Sequence, residues 1–251
     1  MSRIPIALQL YSVREDCQAD FPTTLKAVAD MGYEGVDFAG YYGYEAQAIR
    51  TMLDDLGLGV AGCHTGIDTL LGDELAKTVE FNAILGNKYL VVPGLPESYR
   101  DSADAWKRTA DTFNEIADKL APHGMVTGYH NHWVEFIPYE DGQTGWDILY
   151  SNTGPGVIMQ IDLGNAMHGG ADPLVHLERY PQRAITVHLK EYAAGKELVL
   201  IGDGDVPWQQ VFDVVEGQGV TDWYIVEQEN YPYPPLESAK RSLDALKAMG
   251  K

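Results

Sequence analysis

Basic side chains are scarce in this chain. Its 251 residues carry 18 Lys and Arg against 37 Asp and Glu, a formal net charge of −19, whereas affinity for nucleic acid rests mainly on cations that neutralise phosphates. A polynucleotide partner is therefore not expected. Cysteine is nearly absent as well. Cys17 and Cys63 stand far apart with no C-x-x-C spacing, so no disulfide framework is expected and a reduced, cytoplasmic setting fits. Long apolar runs are missing too, because no stretch approaches the roughly 18 to 20 apolar residues of a membrane span. The opening MSRIPIALQLYS runs straight into the charged VREDCQAD, without the apolar core and small-residue cleavage site of a secretory signal. No low-complexity linker divides the chain, and no strand is followed by G-x-G-x-x-G or G-x-x-x-x-G-K-[ST], which counts against a nucleotide-binding open sheet.

What the chain does contain is a regular alternation of strand-like and helix-like segments. Apolar runs over 4–10, 34–38, 59–64 and 89–93 are separated by helical periodicity over 21–31, 46–56 and 75–85. Leu25, Val28 and Met31 fall at helical spacing before Gly32 stops the first of these helices. The scheme repeats with a helix over 104–121, a strand from Met125, a short helix over 146–150 and the strand 157–162. It closes with helix 173–180, strand 184–188, helix 207–218, strand 224–227 and helix 236–249. Eight strand-helix pairs at about 30 residues each predict one (β/α)8 TIM barrel over residues 1–251, since such barrels typically run to about 250 residues. A doubly wound open sheet is the alternative.

Barrels of this type place their sites where strands end. Here the strand-end polar groups are Gln9 and Tyr11, Asp37, His64, His130 and His132, Asp162, His188 and Lys190, and Glu227 and Glu229. His130 with His132, His188 with Lys190, and Glu227 with Glu229 are each spaced by two, so both members lie on one face of a strand. One member can reach a metal while the next, a layer higher, reaches substrate. Imidazole and carboxylate ligands together suit Mn, Zn, Co or Mg. Each residue also has a plainer reading. A strand-end histidine is commonly a hydrogen-bonded structural group, and Asp162 before Leu-Gly-Asn can cap the following turn. Lys190 can stabilise an oxyanion or simply pair with Glu191 or Glu229, and His64 can meet a substrate hydroxyl or a loop carbonyl. Tyr11, Trp133, Trp208, Tyr231 and Tyr233 lie just past strand ends, where flat faces can stack on a sugar ring or pack a loop. The same loops hold few arginines and no anion cradle, which favours a non-phosphorylated ligand.

The segments IALQLYSVRED (6–16), MGYEGVDFAG (31–40), YHNHWVEF (129–136), QIDLGNA (160–166), HLKEY (188–192), GDGDVPW (202–208) and YIVEQEN (224–230) together resemble the sugar phosphate isomerase/epimerase family. These are the xylose isomerase-like TIM barrels that include inosose dehydratases, tagatose-type epimerases and an endonuclease IV branch. The resemblance covers the whole chain. It implies one divalent metal ion held by a Glu, an Asp, a His and a second Glu on the last four strands, of which the last three fall on Asp162, His188 and Glu227. The first is a departure, because this chain reads His130-Asn131-His132 where much of the family reads E-N-H. Histidine thus replaces a metal-neutralising carboxylate and one partner of the two-glutamate proton relay. Glu135 is a candidate to restore it.

The expected activity is a metal-dependent isomerase or epimerase of a sugar or keto-sugar, working by proton abstraction next to a carbonyl. Glu227, His132 and Lys190 are its expected catalytic groups. His130, Asp162, His188 and Glu227 are the expected metal ligands, and His64, Tyr11, Trp133 and Trp208 the expected substrate contacts. The alternative is a lyase or dehydratase that eliminates from a 3-keto-glycoside or keto-inositol with the same metal. A non-catalytic sugar-binding subunit is the alternative of another class, and an endonuclease IV-like role is disfavoured by the acidic charge. The expected partner is a small carbohydrate, with neither nucleic acid nor membrane. A homo-oligomer or a partner subunit is equally compatible with the sequence.

Overall fold

The computed structural model describes residues 3–251. Eight strands close into a parallel barrel in sequence order. They are β1 (Ile6–Gln9), β2 (Gly35–Phe38), β3 (Gly59–His64), β4 (Tyr89–Val92), β5 (Val126–His130), β6 (Val157–Asp162), β7 (Thr186–Leu189) and β8 (Trp223–Val226). The helices are α1 (Arg14–Ala19), α2 (Phe21–Met31), α3 (Ala46–Leu56), α4 (Glu74–Leu85) and α5 (Ala103–Leu120). In the second half follow α6 (Gly145–Asn152), α7 (Leu163–His168), α8 (Pro173–Arg179), α9 (Trp208–Gln218) and α10 (Pro235–Ala248). Two short helices, α1 and α7, stand where no periodicity was visible, because a helix of one or two turns holds too few apolar positions to register. The expected β5 run to His132 stops at His130, and Glu227 lies one residue past β8.

Local chemistry fixes these elements. Asp20 caps α2 by accepting from the Thr23 amide, Pro22 sits in the first turn, and Gly32 ends the helix at φ 95°. On α5 the buried Trp106, Ala110, Phe113, Ala117 and Leu120 form one stripe, which packs on the sheet as each large apolar side chain gains about 1.5–3 kcal/mol from burial. The main core lies in this layer between strands and helices. Smaller clusters, Ala7 with Ala61 and Ile225, and Tyr89 with Val91 and Ile158, fill the barrel itself. At the strands' N-terminal end the Trp223 indole covers Gly35 and Gly59, where an added Cβ would fall 2.8 and 2.9 Å from it. With that end filled by apolar side chains, the polar inward-facing residues are left at the C-terminal end.

Candidate functional site

Strand register determines which side chains meet. His130 is level with Gln160, and Asp162 with His188, while His188 is level with Ile225. Glu227 therefore stands one inward layer above Ile225, the stagger that a tilted barrel imposes on neighbouring strands. The result brings His130, Asp162, His188 and Glu227 together, all buried, with one ligand-capable atom from each lying within 4.8 Å of the others. His188 Nδ1 is 2.5 Å from Glu227 Oε2, and His130 Nε2 is 4.0 Å from the same oxygen.

Asp162 caps a helix and keeps one carboxylate oxygen free. Its Oδ1 accepts from the Asn165 amide at 2.6 Å and starts α7, while its Oδ2 is buried with no hydrogen-bond partner. Asn131, between the two histidines of the 130–132 motif, locks this edge. Its amide accepts from Asp162 N at 2.8 Å and donates to Asp162 O at 3.0 Å, extending the β5–β6 pairing beyond the strand. Burial pushes the Asp162 carboxyl up to about 7, against the pull of Lys190. Burial works the same way on Glu227, but the His188 hydrogen bond and the charges of His188 and Lys190 hold it well below the usual carboxylate range. Burial would lower His188, yet its hydrogen bonds to Asp37 and Glu227 raise it to about 9. His130 has no such partner and is driven well below the usual imidazole range by burial and by His188.

A divalent ion fits this donor set. Asp162 Oδ2 and His130 Nδ1 are orphaned among buried groups, a costly state that natural cores avoid unless a ligand completes it. The proton shared by His188 and Glu227 occupies a position that a cation can take over. The β5 carboxylate is not restored by Glu135. That residue is buried, accepting from the Tyr129 hydroxyl at 2.7 Å and the His132 amide at 2.8 Å, so its charge is spent on shaping the turn after β5.

Asp37 joins the cluster although the sequence suggested no ligand role for it. It is fully buried and its Oδ2 accepts from His188 Nε2 at 3.1 Å and from Gln9 Nε2 at 3.0 Å. Gly62 leaves it room, since a Cβ there would lie 2.9 Å from Asp37 Oδ1. A carboxylate behind a ligating histidine fixes its tautomer and orientation. The signal was present in register, for Asp37 is level with Gln9. His64 is not bonded to a loop carbonyl. Its Nε2 donates to Gln160 Oε1 at 2.7 Å and its Nδ1 faces Gln9 Nε2 at 3.4 Å; burial lowers its pKa and keeps the ring neutral.

The mouth above has two lobes. One, of about 390 Å³, is lined by Tyr11, His64, His130 and Glu227, and the other, of about 550 Å³, by Trp133, Asn165, His168, Lys190 and Tyr192; His132 and Glu229 line both. Lys190 shows its pairing, donating to Asn165 Oδ1 at 3.0 Å and pairing with Glu229, with Glu227 Oε1 at 4.0 Å. Burial disfavours its charge, but Asp162, Glu227 and Glu229 outweigh burial and raise its pKa. Tyr11 is exposed at the rim beneath the Arg14 guanidinium. Trp208 departs from its expected place: it is buried against Phe212, and its indole donates to Glu191 Oε2 at 2.9 Å. Glu191 also accepts from the Tyr192, Gly202 and Val206 amides, so Trp208 supports the wall of the mouth and does not line it.

A closed parallel barrel whose C-terminal mouth gathers imidazoles, carboxylates and a lysine defines a (β/α)8 barrel with its candidate site in the customary position. The chain belongs to the xylose isomerase-like TIM barrel family, whose family model matches residues 25–249. It is similar to the rhizopine catabolism protein MocC of Rhizobium meliloti, 24% identical over 263 residues that span 90% of this chain and 80% of the relative. It is also similar to inosose dehydratase of Geobacillus kaustophilus, 25% identical over 267 residues, 88% of this chain and 86% of the relative. A solved sugar phosphate isomerase/epimerase from Parabacteroides distasonis superposes with a TM-score of 0.84 over 98% of both chains at 25% identity. Among the described residues no helix is long and apolar enough to cross a membrane.

Proposed function

We propose that this protein is a divalent-metal-dependent enzyme that removes the proton next to a carbonyl of a non-phosphorylated keto-sugar or keto-cyclitol and carries the product on to elimination. The observation that supports it is the buried set His130, Asp162, His188 and Glu227, with a histidine on β5 and Glu135 turned away. An ion held by these four residues would supply Lewis acidity to a carbonyl oxygen. With Glu227 engaged by His188 and no carboxylate on β5, the site has no opposed pair of glutamates such as inversion through two bases employs. His132, at the junction of the lobes, is the proton acceptor. The C–H electron pair moves to the carbonyl oxygen, giving an enediolate, and the Lys190 ammonium beside Glu227 and Asn165 stabilises that charge. The pair then returns to expel the oxygen substituent on the neighbouring carbon, which leaves as water or an alcohol after taking the proton that His132 removed. His64 and Tyr11 face the reacting ring. The similarity to inosose dehydratase supports elimination.

Isomerisation or epimerisation is the second reading, supported by the likeness to a sugar phosphate isomerase/epimerase. Both are separated by incubating the Mn-loaded protein with a 3-keto-glucoside in D₂O and following proton NMR. Released aglycone with an unsaturated keto-sugar is the expected result, abolished by EDTA and returned by Mn. Deuterium exchange with the glycoside intact supports isomerisation instead, and no change of any kind in the presence of metal refutes both.

A further inference from the structure

The two lobes differ in what they can hold. The smaller opens onto the buried cluster: His64, His130 and Glu227 line it, and none of them lines the larger, while Lys190 and His132 stand where the two meet. Each volume falls in the range of about 300–1,000 Å³ that accepts a whole small ligand, so a single sugar ring over the cluster leaves the larger lobe unfilled. That lobe contains a row of aromatic rings. The Trp133 and His168 rings are 5.9 Å apart, and His168 and Tyr192 are 6.2 Å apart. Of its charged members Lys190 is engaged by Asn165 and Glu229, and Glu191 by the loop after β7, while Lys196 and Glu197 stand exposed, so the lobe joins these aromatic faces to polar groups.

Trp133 is the centre of this wall. Of the five tryptophans, it alone is counted among the exposed large side chains, at 46% exposure. Its backbone is nevertheless held tightly, because the Glu135 carboxylate takes the amide of the preceding His132 and a Cβ at Gly169 would come within 2.6 Å of the Trp133 carbonyl oxygen. A large aromatic face kept exposed on a fixed backbone is the form of a stacking platform.

We propose that the larger lobe is an aglycone subsite, so that the substrate is a glycoside whose keto-sugar ring lies over the cluster and whose ring-shaped aglycone stacks on Trp133. This rests on the reading above of the smaller lobe as the reacting site. The bond between the two rings then falls at the junction lined by His132 and Glu229, next to Lys190, where the charged groups are gathered.

The test uses unoxidised phenyl and methyl β-glucosides, which have no carbonyl to react, with the metal-free protein, read by tryptophan fluorescence and saturation-transfer NMR. The phenyl glucoside binds about tenfold more tightly than the methyl one, Trp133→Ala removes that difference and Trp133→Phe keeps most of it. Equal affinities for the two glucosides, failure of the phenyl glucoside to bind, or a preference that survives in Trp133→Ala overturns the subsite. A parallel series with phenyl and methyl 3-keto-glucosides and Mn separates the two readings. Turnover without aglycone preference leaves the proposed reaction standing and removes the subsite, whereas phenyl-selective binding at Trp133 without turnover keeps the subsite and removes the reaction.

Discussion

Replacing Asp37 by asparagine changes one charge and almost no volume at the floor of the cluster. In the native chain Asp37 Oδ2 accepts from His188 Nε2 at 3.1 Å and from Gln9 Nε2 at 3.0 Å, and the residue is fully buried. The asparagine carbonyl can take over both bonds, but its NH₂ must then occupy the place of Oδ1, which has no hydrogen-bond partner. An unpaired buried donor costs about 1–3 kcal/mol, a fall in melting temperature of about 2–4 °C for each kcal/mol in a chain of this size. The loss of charge behind His188 weakens its basicity, and partners of that kind are worth about 10–100-fold in metal affinity, or about 1.4–2.8 kcal/mol. Calorimetric titration of Mn or Zn against a competing chelator measures this, with Asp162→Asn as the direct-ligand control. Wild-type affinity in Asp37→Asn, alongside lost affinity in Asp162→Asn, refutes the orienting role of Asp37. Wild-type affinity in both removes the cluster as a metal site.

Without metal, stability declines as pH rises from about 6 to 9. The His188 pKa is raised from 6.5 to about 9, so its contribution is complete below its unfolded value and is lost as pH climbs through about 9. The Asp162 pKa is raised from 3.8 to about 7, which makes ionisation between those values unfavourable in the fold and acts in the same direction. Glu227, held low, adds stability that disappears only in acid. Because metal binding releases the protons of His188 and Asp162, the melting-temperature gain from Mn grows with pH; a gain that shrinks between pH 6 and 9 in thermal scans contradicts the scheme. Glu191→Gln turns an amide group toward two of the four donors that the carboxylate accepts, lowering stability by about 3 kcal/mol. Hydrogen exchange then speeds up over 192–206 and not in β7, and unchanged exchange there argues against Glu191 as the organiser of this wall.

The histidines and carboxylates of the mouth were legible because each ends an apolar run, and spacing by two placed His130 with His132 and His188 with Lys190 on common faces. Asp37 was on the same footing, yet its place beside His188 depends on closure of the barrel, which brings β2 and β7 across from each other. Trp208 read as a stacking aromatic because it follows a strand-end segment; its burial comes from Glu191, seventeen residues earlier, folding the intervening loop back on itself. Glu135 read as a spare carboxylate, and only the turn after β5 shows it bound to the Tyr129 hydroxyl and the His132 amide.

The sequence by itself determined the alternation of strands and helices, the acidic balance and the residue types at the strand ends, because periodicity and turn chemistry are local properties of the chain. Tertiary structure alone decided which of those groups face one another. Barrel closure, stagger and loop packing set distances between residues far apart in sequence, and hydrogen-bond competition assigned each carboxylate: Asp162 to both a helix cap and an open oxygen, Glu227 to His188, Glu191 to a wall and Asp37 to the histidine behind which it lies.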